Sequence, residues 1–209
     1  MDQASVFDDA DGESYQFNDD QVKDIKVYES IKTSCSVCNV GTLNKEGNPV
    51  TVVVYGRNGV FLVKHQYKRC NFKNQGNPCR AGHYLGYRIY NGIHIYDDDL
   101  LKNEILFVTK NTAFTLDFLV EVVGKMDISS ETFEAAAKSY NRFHHKTLPF
   151  DVMDKRVMLV DKRLNQAVTL FMFIEISQRY GVPNYQMVKT LDAAILEMRP
   201  TLMRLYRLR

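Results

Sequence analysis

All four cysteines of this 209-residue chain lie between residues 35 and 79, two on each side of a segment patterned as a β-hairpin. Residues 50–55 read Val-Thr-Val-Val-Val-Tyr, Gly56-Arg57-Asn58-Gly59 supplies turn chemistry, and residues 60–65, Val-Phe-Leu-Val-Lys-His, resume the extended pattern. Asn-Gly tolerates the positive φ that a tight hairpin turn demands. The midpoint of Cys35 and Cys38 lies about 21 residues before the turn centre, and that of Cys70 and Cys79 about 17 after it. Folding the hairpin therefore carries both pairs to one end, where four thiolates can converge on one point. A zinc ion favours such a tetrahedral set, and coordination supplies folding energy that a small β module lacks in apolar burial.

The pattern departs from a standard ribbon. Cys35-Ser-Val-Cys38 is a CxxC pair, but Cys70 and Cys79 are separated by eight residues, so the fourth ligand is open between Cys79 and His83, four residues further on. His65 falls within a predicted strand, where packing or solvent exposure is the expectation. Free buried thiols or a redox CxxC pair are the alternatives; the redox motif requires a CxxC at the start of a helix in a βαβ setting, which is not visible here. A catalytic zinc keeps an open position with a base nearby, and residues 28–96 hold only two acids, Glu29 and Glu46. A closed structural site is expected.

The formal net charge of +2 conceals a strong asymmetry. Residues 1–27 carry −6, residues 28–96 carry +7 and residues 97–209 carry +1. Around the cysteines, bases alternate with aromatics: Lys64, Tyr67, Lys68, Arg69, Phe72, Lys73, Arg80, Tyr84, Tyr87 and Arg88. Bases gain affinity for phosphates through counterion release, and exposed tyrosines stack on nucleobases. Lys64, Lys68, Arg69, Lys73, Arg80 and Arg88 are thus candidate nucleic-acid contacts, with some of the aromatics reserved for the core. A disordered terminus and a solvated basic face is the plainer reading of the same charges.

Residues 84–96, broken by Gly86 and Asn91-Gly92, read as a second hairpin, and residues 104–109 as a last strand. The period then changes from two to about 3.6. Phe114, Phe118, Val122 and Met126 fall on one helix face. Ser129 or Ser130 with Glu131 opens another helix that ends before Pro149, a third runs over about 154–180 to Gly181, and a fourth covers about 185–207. The apolar run 171–174 places the third helix centrally or against a partner, with Met158 and Met172 counted among its packing residues. The expectation is an α+β chain, a small zinc-ribbon-like antiparallel β module (28–110) followed by a helical region (111–209), preceded by an acidic disordered leader (1–27). No apolar stretch approaches the roughly 20 residues that span a bilayer, and no secretory signal opens the chain. An intracellular, reducing compartment follows, in which cysteines serve as metal ligands or free thiols.

The run Lys-Arg-Cys70, then Cys79-Arg-Ala-Gly-His-Tyr-Leu-Gly-Tyr-Arg-Ile-Tyr, followed by Leu100-Leu-Lys-Asn-Glu, Thr112-Ala-Phe-Thr-Leu-Asp-Phe-Leu and Ser139-Tyr-Asn141, resembles the cysteine-cluster domains associated with KDZ transposases. The similarity covers about residues 34–142. It implies that Cys35, Cys38, Cys70 and Cys79 chelate zinc in a DNA-binding segment that precedes a transposase core, and it implies a nuclear location. Such a core needs three carboxylates on a ribonuclease H-like fold. Residues 143–209 are too few for it, and Asp151, Asp154 and Asp161 read as a solvated helical face or an N-terminal charge bias. His144-His145 near a helix C-terminus reads as capping, and no GxSxG, HExxH or phosphate-binding glycine loop is present. The functional expectation is a non-enzymatic, zinc-binding, DNA-binding component related to transposases. The alternative is a zinc-stabilised interaction or assembly module.

Overall fold

The computed structural model describes residues 25–74, 77–97, 100–144, 158–181 and 186–187. The acidic leader up to residue 24, His145, Pro149, Asp151, Asp154 and most of the expected fourth helix lie outside the described residues. In chain order the strands are β1 (Val27–Glu29), β2 (Leu43–Lys45), β3 (Val50–Gly56), β4 (Gly59–Gln66), β5 (Lys68–Cys70), β6 (Lys73–Asn74), β7 (Asn77–Pro78), β8 (Gly82–His83), β9 (Tyr87–Tyr90), β10 (Ile93–Tyr96), β11 (Ile105–Phe107) and β12 (Thr112–Thr115). Helices α1 (Leu116–Ser129), α2 (Phe133–His144) and α3 (Asp161–Arg179) follow, and β13 (Gln186–Met187) comes last. The chain is α+β, with its helices after the first twelve strands. Among the described residues no helix is long and apolar enough to cross a membrane.

The expected hairpin is the spine of the molecule. β3 and β4 pair from Val50↔His65 to Gly56↔Gly59 around a two-residue turn, Arg57-Asn58, and it is Gly59, not Asn58, that takes the positive φ. β1 adds parallel to β4 and β12 parallel to β3, with β11 outside β12. After Gln66 the chain crosses into a second sheet, ordered β13-β10-β9-β8-β5-β2. There β2 and β5 continue the hairpin, Leu43 opposite Cys70, with a two-residue shift in register. The hairpin expected over 84–96 is the β9–β10 pair.

Val52, Val53, Val54 and Tyr55 are all fully buried, so β3 is covered on both faces and reads as a continuous apolar run. Tyr55 marks the helix side, packed on Phe114 and Tyr140. His65 marks the other, stacked on Phe107 at 3.8 Å between ring centroids and near Tyr84 and Tyr87. α3 is central, burying Leu164, Ala167, Val168, Leu170, Phe171, Phe173 and Ile174, while Met158 and Met172 stay partly exposed.

Four expectations are corrected. Phe114 belongs to β12, not to the helix; its flanking threonines suit a strand, and a parallel slot beside β3 outcompetes the 3.6-residue spacing. Ser129 and Ser130 close α1 instead of opening α2: Ser130 adopts the left-handed conformation, and Thr132 accepts the Ala135 N–H as the cap of α2. Residues 158–160 precede α3, which starts at Asp161. Here Asn141 fixes the entry, donating to the Leu159 carbonyl at 2.7 Å and accepting its N–H at 2.9 Å. Gln186 and Met187, expected in a fourth helix, pair with the open edge of β10.

His65 gives the core a pH signature. It is buried with neither ring nitrogen hydrogen-bonded to a described residue, and burial holds its pKa down from 6.5 to about 3. The unfolded chain takes up a proton near 6.5 that the folded chain refuses until about 3, so stability is complete above 6.5 and declines as pH falls through that window. His83 shifts the same way, to about 4, through burial first and the charge of Lys32 second. For His65 alone the expected loss between pH 7 and pH 5 is about 2 kcal/mol. Urea midpoints across that range should fall less steeply for His65→Leu than for the wild type; parallel slopes would remove His65 as the cause.

Candidate metal centre

The four cysteines meet at one end of the second sheet. Cys35 and Cys38 sit in the loop before β2, Cys70 ends β5, and Cys79 follows β7. Backbone pairing fixes these segments together: the Cys35 N–H donates to Gly41 O at 2.8 Å, Cys70 N–H to Ala81 O at 3.0 Å, and Cys79 N–H to Phe72 O at 2.9 Å. Asn71 ties the two halves, donating its N–H to Thr42 O and accepting the Thr42 N–H on Oδ1. The eight-residue spacer of the second pair is taken up by the β6–β7 hairpin, which returns Cys79 to Cys70.

One ligand atom from each cysteine lies within 4.8 Å of every other. Cys35 Sγ is 3.8 Å from Cys79 Sγ, and Cys38 Sγ is 3.6 Å from Cys70 Sγ. Each sulfur also accepts an N–H from the residue two further along: Val37 to Cys35 and Phe72 to Cys70, both at 3.4 Å, with Val40 to Cys38 and Ala81 to Cys79. Gly41 adds a second donor to Cys38 at 3.3 Å. Left-handed φ at Asn39 and Arg80 shapes both knuckles. Donors aimed at sulfur stabilise thiolates, the form that binds metal.

The thiols titrate apart. The Val40 N–H first, and those of Gly41 and the neighbouring thiols after it, pull Cys38 down to about 6, with burial working against them. Burial pushes Cys70 up to about 12 and also raises Cys79. One thiolate thus forms readily, while those of Cys70 and Cys79 require a cation to accompany them. The four cysteines are positioned to hold one metal ion. His83 is not in this group; it is buried in β8 between Lys68 and Arg88, and its Nε2 has no hydrogen-bond partner among the described residues.

The basic residues fare differently. Lys68 donates to the Ser30 carbonyl at 2.6 Å and lies 3.7 Å from Glu29; Arg69 pairs with Glu46 at 2.7 Å. Arg88, largely buried, pairs with Asp97 at 2.7 Å, and Lys32 reaches the same carboxylate at 2.8 Å. Asp97 and Glu121, the partner of Arg57, lie beyond the segment over which the charge is +7. Tyr87 is buried in a stack with Tyr84, ring centroids 4.8 Å apart. Lys64, Lys73 and Arg80 make no ion pair with a described residue, and Lys73 and Arg80 are exposed. No protein-family model matches this chain, and no curated protein or solved structure is significantly similar to it.

Proposed function

We propose that the four thiolates hold one structural zinc ion that ties the loop of residues 35–41 to the β5–β8 segment. The observation that carries this reading is the convergence of four sulfurs, each with its own backbone N–H donor. Zinc with four sulfurs at about 2.3 Å has S–S edges of about 3.8 Å, and the contacts at 3.6 and 3.8 Å fit that figure. Full thiolate coordination leaves no open position, which suits a structural ion. Cobalt(II) titration tests the ligand set: the tetrathiolate charge-transfer and tetrahedral d–d bands should appear in the wild type and in His83→Ala and be lost in Cys79→Ala. Loss in His83→Ala with retention in Cys79→Ala would overturn it.

A nucleic-acid role of this end is the second reading, and the exposed pair Lys73 and Arg80 beside Cys79 favours it. The order of motifs that resembles the KDZ-associated domains supports a place beside a transposase. Phosphate contact predicts DNA affinity that falls with salt, and Lys73→Glu with Arg80→Glu should reduce the log–log slope by about 2. Lys68 and Arg69, held by Ser30, Glu29 and Glu46, contribute less to that slope. An unchanged slope in the double variant would favour a zinc-stabilised interaction module instead.

A further inference from the structure

We propose that the thiolate centre is also a redox switch, in which the sulfurs oxidise in a fixed pairing, Cys35 with Cys79 and Cys38 with Cys70, so that a covalent clamp replaces the metal clamp. The inference rests on the zinc reading above. All four sulfurs lie within 4.8 Å of one another, and within that cluster the contacts at 3.8 and 3.6 Å share no atom and give each thiol one partner. Each pair joins a buried residue, Cys35 or Cys70, to a less buried one, Cys79 or Cys38. Each also bridges the loop before β2 and the β5–β8 segment, the two parts that the metal ties, and neither pair lies within the CxxC. A disulfide requires the sulfurs to close to about 2.05 Å, while the β2–β5 ladder and the Cys70–Ala81 and Cys79–Phe72 backbone bonds do not depend on the sulfurs.

The oxidant is a hydroperoxide. The sulfur of Cys38 or Cys79 attacks the peroxide oxygen, the O–O bond breaks, hydroxide leaves and a sulfenic acid forms. The paired thiolate of Cys70 or Cys35 then attacks that sulfur, forming the disulfide and expelling a second hydroxide. Each pair gives up two electrons, and each hydrogen peroxide accepts two and, with two protons from solvent, ends as two waters. With both pairs oxidised the divalent ion has lost all four anionic ligands and dissociates.

The test is titration of the zinc-loaded full chain with hydrogen peroxide, reading zinc release with a chromogenic chelator and disulfide linkage by mass spectrometry. Elastase and trypsin cleave after Val37 and Lys73 and so separate the four cysteines. The expected result is loss of four thiols and one zinc per two peroxides, Cys35–Cys79 and Cys38–Cys70 peptides, and full recovery with dithiothreitol and zinc. Cys35–Cys38 with Cys70–Cys79, Cys35–Cys70 with Cys38–Cys79, a mixture of linkages, or sulfinic acids without disulfides would overturn it. Absence of zinc before oxidation would refute the metal reading instead, and the linkages formed by the metal-free chain would still test the pairing.

Discussion

Gly41→Ala should weaken metal binding by about 100-fold or more although it alters no ligand. A β-carbon on Gly41 would overlap Cys70 Sγ and stand 2.6 Å from Phe72 Cβ; the Phe72 Cβ cannot swing clear, and the Cys70 sulfur can do so only by rotating out of the ligand set. The glycine cannot retreat either, because its N–H donates to Cys38 Sγ and its carbonyl accepts the Cys35 N–H. Moving it breaks a donor to one ligand and the turn that carries another. Its φ is not in the left-handed region, so the requirement is close approach, not conformational freedom. Loss of the groups that hydrogen-bond metal ligands costs about 10–100-fold in metal affinity, and displacement of a ligand sulfur as well puts the expected loss at the upper end or beyond. Gly47→Ala is the control: it has φ +68 but nothing within 4 Å. It should lose stability without losing metal. Competition titration against a chromogenic chelator reads both; wild-type affinity in Gly41→Ala would contradict the described geometry.

Tyr140→Ala should be among the most damaging single changes in the helical half, at about 3–5 kcal/mol by analogy with other buried aromatic truncations. Tyr140 on α2 joins the helices to the sheet. Its ring packs on Phe118 of α1 at 4.8 Å and on Tyr55 of β3 at 6.1 Å, and its hydroxyl donates to Gly56 O at 3.0 Å. Truncation opens a cavity between three elements and leaves a buried carbonyl without its partner. Tyr140→Phe keeps the ring and removes only the hydroxyl, so about 1–2 kcal/mol is expected. Urea denaturation of the three proteins separates the terms. Equal losses for Phe and Ala would mean that the hydrogen bond, not ring packing, holds the joint; a loss below about 1 kcal/mol for Ala would contradict the burial.

The hairpin and the meeting of the cysteines were legible because both follow from local chemistry: β-branched runs, a Gly-rich turn and chain length on either side of it. Cys79 was harder, since nothing in Asn71 to Pro78 announces strands of two residues each, and the register that returns Cys79 to Phe72 is set by pairing. His83 stood as a rival ligand because sequence spacing does not show that β8 holds it between Lys68 and Arg88. β12 was hidden by Phe114, whose spacing to Phe118 suits a helix, while the β3 edge that captures it lies some sixty residues earlier. The pairing of the basic residues was not legible for a related reason. Charges can be counted from a sequence, but Asp97 and Glu121, which pair with Arg88, Lys32 and Arg57, enter through tertiary contact. The Ser139-Tyr-Asn141 motif acquires a structural meaning in the same way: Tyr140 bonds Gly56, and Asn141 sets the start of α3.

Elemental mass spectrometry on protein purified without added metal asks directly whether the four thiolates bind one metal ion. One zinc per chain is expected in the wild type and none in Cys35→Ser or Cys70→Ser. A folded, monodisperse wild type without zinc or any other metal would contradict it.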